Sequence, residues 1–167
     1  MKGIAAVAGV FTAGLVLVAI AVAGANRNWS THANSSMEVP VRDSQGQAQA
    51  IFHLSKDGTA LSYKLIASNI VDVTQAHIHC GVPGENGAVV AFLYGFGPTV
   101  SPNGVLAEGT ITDADVIDRP AEQCPGVWGA VDSFDDVIER MREGGAYVNV
   151  HTVVFPGGEI RGDIRAD

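Results

Sequence analysis

The chain has 167 residues, 47% of them hydrophobic, and a net charge of −8, which is enough for one domain and a short extra segment. Lys2 is the only charged residue among the first 25, so the acidic excess belongs to the remainder. That balance excludes nucleic acid and anionic lipid surfaces as partners, because both demand clustered Lys and Arg.

Behind Lys2, residues 4–25 are rich in Ala, Val, Leu, Ile and Gly, and Ala23-Gly24-Ala25 supplies a small-x-small cleavage site. Residues 1–25 therefore read as a signal peptide or as an N-terminal membrane anchor, since the apolar run is also long enough to span a bilayer. Either reading places the remainder outside the cytoplasm, secreted or membrane-anchored, with membrane contact only through this segment. Residues 26–36 (NRNWSTHANSS) are polar and aperiodic, and read as a tether in which His32 is incidental. Asn28-Trp29-Ser30 and Asn34-Ser35-Ser36 match the glycosylation acceptor pattern.

From Met37 the pattern becomes that of β-structure. Residues 37–42 contain Pro40 and read as an edge or entry strand. The stretch 47–54 alternates, with Ala48, Ala50, Phe52 and Leu54 on one face and His53, an ordinary surface histidine, on the other. Ser55-Lys56-Asp57-Gly58 is a turn, and Leu61, Tyr63 and Leu65 share a face of the returning strand. Residues 71–79 form the next strand, followed by a turn-rich loop at 81–87. The nearly continuous apolar run 88–94 fits a strand covered on both faces. Residues 96–103 are a Gly/Pro loop. In 105–112, Val105, Ala107, Gly109 and Ile111 oppose Leu106, Glu108 and Thr110.

Residues 113–117 read as a helical turn, and a Pro/Gly loop with Cys124 and Trp128 follows. Phe134, Val137, Ile138 and Met141 recur at i, i+3, i+4 and i+7, the stripe of an amphipathic helix. Ser133 caps it, acids at 135 and 136 and Arg140 and Arg142 complement its dipole, and Gly144 and Gly145 end it. The closing strand pair is 147–154 and 159–164, joined by Phe155-Pro156-Gly157-Gly158. There Val148, Val150, Ile160 and Ile164 face the core, while Asn149 and His151 beside Tyr147, with Glu159, Arg161 and Asp163, face out. The fold expected is mainly β: an antiparallel immunoglobulin-like or Greek-key sandwich or barrel of about eight strands with one short helix, behind a hydrophobic leader.

The chemistry centres on Ala76-His77-Ile78-His79-Cys80-Gly81. On an extended strand His77 and His79 project together, opposite Ala76 and Ile78. If the His151 strand lies alongside, three imidazoles converge on the outer face of one sheet. His77, His79 and His151 are thus candidate ligands for copper or zinc, which imidazole suits equally. Asn149, Glu159 and Arg161 are candidates to flank and orient them, although Glu159 and Arg161 could equally form a surface ion pair. The competing reading is structural, with outward histidines bonded to a loop carbonyl or to Asp72, Glu85 or Glu159. Cys80 faces away from the histidines, and two cysteines in an oxidising compartment point to a Cys80–Cys124 disulfide worth roughly 4 kcal/mol. No nucleophile–base–acid set, phosphate loop or nucleotide fingerprint stands out, so no catalytic or cofactor-binding residue is assigned.

The strings AHIHCGVPGENGAVVAFL (76–93) and YVNVHTVVFPGGEIRGDI (147–164) resemble the two hallmark blocks of the CHRD domain, named from the BMP antagonist chordin and found in microbial exported proteins. MEVPV, the Phe52-x-Leu54 strand with Asp57-Gly58, and the helix before YVNVHT agree. The resemblance covers residues 37–165, which sets the domain at 37–167. It implies an immunoglobulin-like or Greek-key sandwich and no settled biochemical activity; the insert around Cys124 and Trp128 is longer than the family pattern. His-Ile-His is also similar to the His-Val-His strand of copper/zinc superoxide dismutases, and Val-Asn-Val-His151 to the strand supplying another copper ligand. On that likeness His77, His79 and His151 correspond to three copper ligands outside a barrel, whereas the zinc-bridging histidine and its partners have no counterpart. Two functions are expected from these resemblances. One is a non-catalytic extracellular module that binds a protein, a matrix component or a metal ion. The alternative is a copper-dependent superoxide dismutase-like oxidoreductase.

Overall fold

Alternating apolar residues at 48–54, 61–67, 76–80 and 146–150 can be buried together only if their strands curl around a common interior, and they do. The computed structural model describes residues 26–95 and 97–167; the expected leader at 1–25 lies outside them. The strands are β1 (Asn28–Asn34), β2 (Gln47–Leu54), β3 (Leu61–Ser68), β4 (Val73–Cys80), β5 (Val89–Tyr94), β6 (Gly104–Ile111), β7 (Ala146–Thr152), β8 (Ile160–Asp163) and β9 (Arg165–Ala166), with helix α1 (Phe134–Glu143) before β7. They form one antiparallel sheet ordered β5-β4-β7-β8-β1-β2-β3-β6, with β9 paired to β1. The sheet curls into a nearly closed barrel. Across the remaining seam the Tyr63 hydroxyl of β3 donates to the Leu93 carbonyl of β5, and Ile117, beyond β6, bonds the Val90 carbonyl. Among the described residues no helix is long and apolar enough to cross a membrane.

The interior is filled by Trp29, Phe52, Leu61, Leu65, Ile78, Val148, Val150, Ile160 and Ile164, all fully buried. Each large side chain among them contributes roughly 1.5–3 kcal/mol by leaving water. Helix α1 buries the expected stripe of Phe134, Val137, Ile138 and Met141. Ser133 accepts from the Asp136 amide at its start, and Gly144 ends it in the left-handed conformation.

Three expectations are corrected. Residues 28–34 of the expected tether are strand β1, paired along its whole length with β2 and seated in mid-sheet between β8 and β2. Trp29, Thr31 and Ala33 point inward, but a threonine and an alanine carry so little hydrophobic signal that the alternation is hidden among polar neighbours. Residues 37–42 form no strand. Ser35–Met37 is a single 3-10 turn, and an irregular segment with a cis peptide before Pro40 follows. In β6 the pairing with β3 shifts between Leu65 and Ile66, which breaks the expected face. Val105 is 52% exposed, Leu106 packs on the core, and Ile111 remains inside.

The disulfide joins Cys80 to Cys124 as expected, and its presence fits an oxidising environment. It ties the 113–132 insert to the end of β4. Between them lies the 81–88 loop, held by Cys80 N–H to the Ala88 carbonyl and by Ala88 N–H to the Gln123 carbonyl. That arrangement decides the surroundings of the histidines.

Candidate metal centre

Strands β4 and β7 pair so that Gln75 faces His151, His77 faces Asn149 and His79 faces Tyr147. All six side chains lie on the face turned away from the barrel interior, because Ala76, Ile78, Val148 and Val150 occupy the other. The diagonal pairing brings the His77 and His151 rings to 4.8 Å between centroids, while His79 stacks on Tyr147 at 4.9 Å with planes 16° apart. On the β5 side Phe92, the partner of His77, sets its ring edge-on to that imidazole at 4.4 Å. On the β8 side Arg161 pairs with Asn149 and lays its guanidinium 3.6 Å from the Tyr147 ring centroid. Among the described residues His77, His79 and His151 form a group of metal-capable side chains whose ligand atoms lie within 4.8 Å of one another.

This outer face was expected to meet solvent, and it does not. His77 is 3% exposed, His79 8% and Arg161 1%; Asn149 and Glu159 are also buried, and His151 is half-buried. Two loops cover the face. The 81–88 loop is clamped from below by Arg161, which donates to the Val82 and Glu85 carbonyls at 2.9 Å each. The Tyr147 hydroxyl meets Gly87 N–H at 3.1 Å. A Cβ on Gly87 would collide with the Cys80 carbonyl, so only glycine lets the loop lie this close to β4. The second cover is the segment after β1. Its Glu38 is buried and accepts from Asn149 Nδ2 at 2.6 Å, and its Val39 carbonyl accepts from Asn86 of the first loop. Gly158, at φ +116°, leaves room for this pair, since a Cβ there would strike both Asn149 and Glu38.

The hydrogen bonds fix which ring nitrogens carry protons. A carbonyl can only accept, so His79 Nδ1, 2.9 Å from the Gly87 carbonyl, is N–H, as is His151 Nδ1, 3.0 Å from the Pro156 carbonyl. The Nε2 of each is then a bare lone pair. His151 Nε2 sits 3.1 Å from His77 Nδ1, which therefore donates to it. Among the described residues His77 Nε2 and His79 Nε2 are buried with no hydrogen-bond partner.

Charge is disfavoured throughout the cluster. Burial, then the neighbouring His151 and His79, lower the His77 pKa to about 3. Burial lowers that of His79 to about 4, against the Gly87 carbonyl bond, which raises it, and with help from His151, Arg161 and Arg119. Burial also lowers His151, opposed by its bond to Pro156. All three imidazoles are neutral at pH 7, the form that ligates a metal.

The flanking residues divide. Arg161 touches the ligand region through Tyr147 and through the loop that orients His79. Asn149 lies directly across from His77 but spends its amide on Glu38. Glu159 accepts from Ser44 at 2.5 Å and from Thr152 at 2.6 Å, and so braces the turn between β7 and β8. His53 and His32 are exposed; His53 bonds Asn28, and neither joins the cluster. Glu38 and Phe92 escaped the sequence reading as neighbours of the centre, and Tyr147, placed on the outer face beside His151, was not paired there with His79. The alternation could have placed Tyr147 beside His79, but nothing in MEVPV marks Glu38 as buried.

The model of the CHRD domain family matches residues 29–164, and the chain belongs to that family. No curated protein and no solved structure matches.

Proposed function

We propose that this CHRD domain serves outside the cytoplasm, secreted or membrane-anchored, as a non-catalytic binding module built around one copper or zinc ion on His77, His79 and His151. The observation that carries the reading is the convergence of three neutral imidazoles whose ligand atoms lie within 4.8 Å of one another, with the His79 Nε2 lone pair buried and unpartnered. A native fold seldom leaves buried polar atoms unsatisfied without a reason, and an absent ion is one. The neutral imidazoles and the carbonyls that set the His79 and His151 tautomers support it further. Export is supported by the disulfide and by the apolar run at 1–25. The net acidic charge supports an extracellular protein or matrix component, over nucleic acid, as the class of macromolecular partner.

The dismutase-like reading requires an open coordination position that a small substrate can reach. The rings of Phe92 and Tyr147 and the 81–88 loop pack around the two buried histidines, which favours holding an ion over turning over a substrate at it. The test is metal content of the exported chain, purified without a His-tag after incubation with copper and zinc, beside the double variant His77→Ala/His151→Ala. One equivalent in the wild type and none in the variant is the expected result, with no superoxide turnover by the loaded protein. No retained metal in either would sink the metal centre; rapid superoxide turnover would replace the module with the oxidoreductase.

A further inference from the structure

Three neutral imidazoles bring no negative charge to an ion, and among the described residues no carboxylate joins them. We infer that the centre is selective for copper(I) over zinc(II) and copper(II); this deepens the metal-centre reading above and rests on it. The donor type does not choose among these ions, since imidazole suits copper and zinc alike. Charge and coordination number do.

Among the described residues no Asp, Glu or Cys joins the converging group, and both cysteines are consumed by the disulfide. The carboxyls nearby are engaged elsewhere. Glu38 accepts from Asn149. Glu159 is bonded to Ser44 and Thr152, and Asp163 is paired with Arg161 and Arg165. Positive charge, by contrast, lies close. Arg119, bonded to the Val89 carbonyl, acts on His79, and so does the Arg161 guanidinium, which lies against the other neighbour of His79, Tyr147, and is itself paired with Asp163. The cost of taking an ion out of water grows with the square of its charge, so a dication in this buried site loses about four times what a monocation loses. No carboxylate repays the difference.

Coordination number points the same way. Zinc centres in proteins complete four ligands, with water where the protein supplies three, and copper(II) prefers a tetragonal set. Here the rings packed on the two buried ligands, the Phe92 edge on His77 and the Tyr147 face on His79, bring no fourth donor. A monovalent d10 copper ion is content with three nitrogens and needs neither a fourth ligand nor a counter-charge.

The experiment is an anaerobic competition on the exported chain, with bicinchoninate as the rival for copper(I) and matched chelators for zinc(II) and copper(II). His77→Ala/His151→Ala is the control. Copper(I) is expected to bind at least a hundredfold more tightly than zinc(II) and at least tenfold more tightly than copper(II). The latter ratio raises the copper couple by about 59 mV over that of the free ion. Zinc(II) or copper(II) held as tightly as copper(I) by the wild type, and lost in the double variant, overturns the valence selectivity while the metal centre stands. If no ion is held, or the variant holds it equally, both readings fail.

Discussion

Strands β4, β7 and β8 have two buried faces, and the two are built on opposite principles. The inner face is Ala76, Ile78, Val148, Val150 and Ile160, packed into the barrel without polar atoms. The outer face is His77, His79, Asn149, Tyr147 and Arg161, equally removed from solvent but polar, and covered by the 81–88 loop and by Glu38. The inner face is stabilised by burial that any well-fitting hydrophobe would supply. The outer face is held by specific bonds: Arg161 to two loop carbonyls, His79 to Gly87, Asn149 to Glu38. Burial of polar groups costs free energy unless each finds a partner, so a layer like this persists where it does something a hydrophobic layer cannot.

The largest expected effect separates the faces outright. Ile78→Ala should cost roughly 2–5 kcal/mol of unfolding free energy in chemical denaturation. His77→Ala, its neighbour on the other face, deletes one unpartnered nitrogen along with the bond to His151 and the Phe92 contact, so it should cost metal-free stability only about 1–2 kcal/mol and should abolish metal retention. Equal losses from both would mean that the outer face is ordinary core.

Next is the clamp. Arg161→Gln removes three charge-assisted bonds to the 81–88 loop, to Val82, Glu85 and Asn86, and the stack on Tyr147. A loss of about 2–3 kcal/mol is expected, with faster amide exchange in residues 81–88 than in β2 as the local signature. Uniform exchange across both would place the loop's stability elsewhere.

The metal-free protein should also lose stability in acid. The folded-state pKa values of His77 and His79, about 3 and about 4, lie below their unfolded value of 6.5. Between those limits the unfolded chain binds more protons, so unfolding free energy falls as pH drops below 6.5, by up to about 1.4 kcal/mol per unit per histidine. Glu38, raised by burial, acts in the opposite sense, its contribution being lost as pH rises through its folded value. Melts from pH 7.5 to 4.5 should show the decline, and His77→Ala should flatten it. At the small end, Lys64→Ala on the exposed Lys64–Glu108 pair should move stability by less than about 0.5 kcal/mol.

The two faces also differ in how far the sequence revealed them. Alternation assigned the inner residues of β2, β4, β7 and β8 correctly, because a period of two is a local property of the chain. The same alternation placed His77, His79 and His151 on a common face and turned Cys80 away toward Cys124. It could not show that this face is covered. Arg161 and Glu159 look like surface charges until the 81–88 loop and the segment around Glu38 fold over them, and that docking depends on contacts more than 70 residues apart in sequence. β1 was missed for a local reason: with Trp29, Thr31 and Ala33 as its inward residues, a single large hydrophobe had to speak for a whole strand.

The most direct measurement of the central claim is X-ray absorption at the metal edge of the copper-loaded protein. Three nitrogen scatterers near 2.0 Å, with the outer-shell pattern of imidazole and no sulfur, are expected from His77, His79 and His151. A sulfur scatterer, or a shell of oxygens without imidazole, would contradict the three-histidine centre.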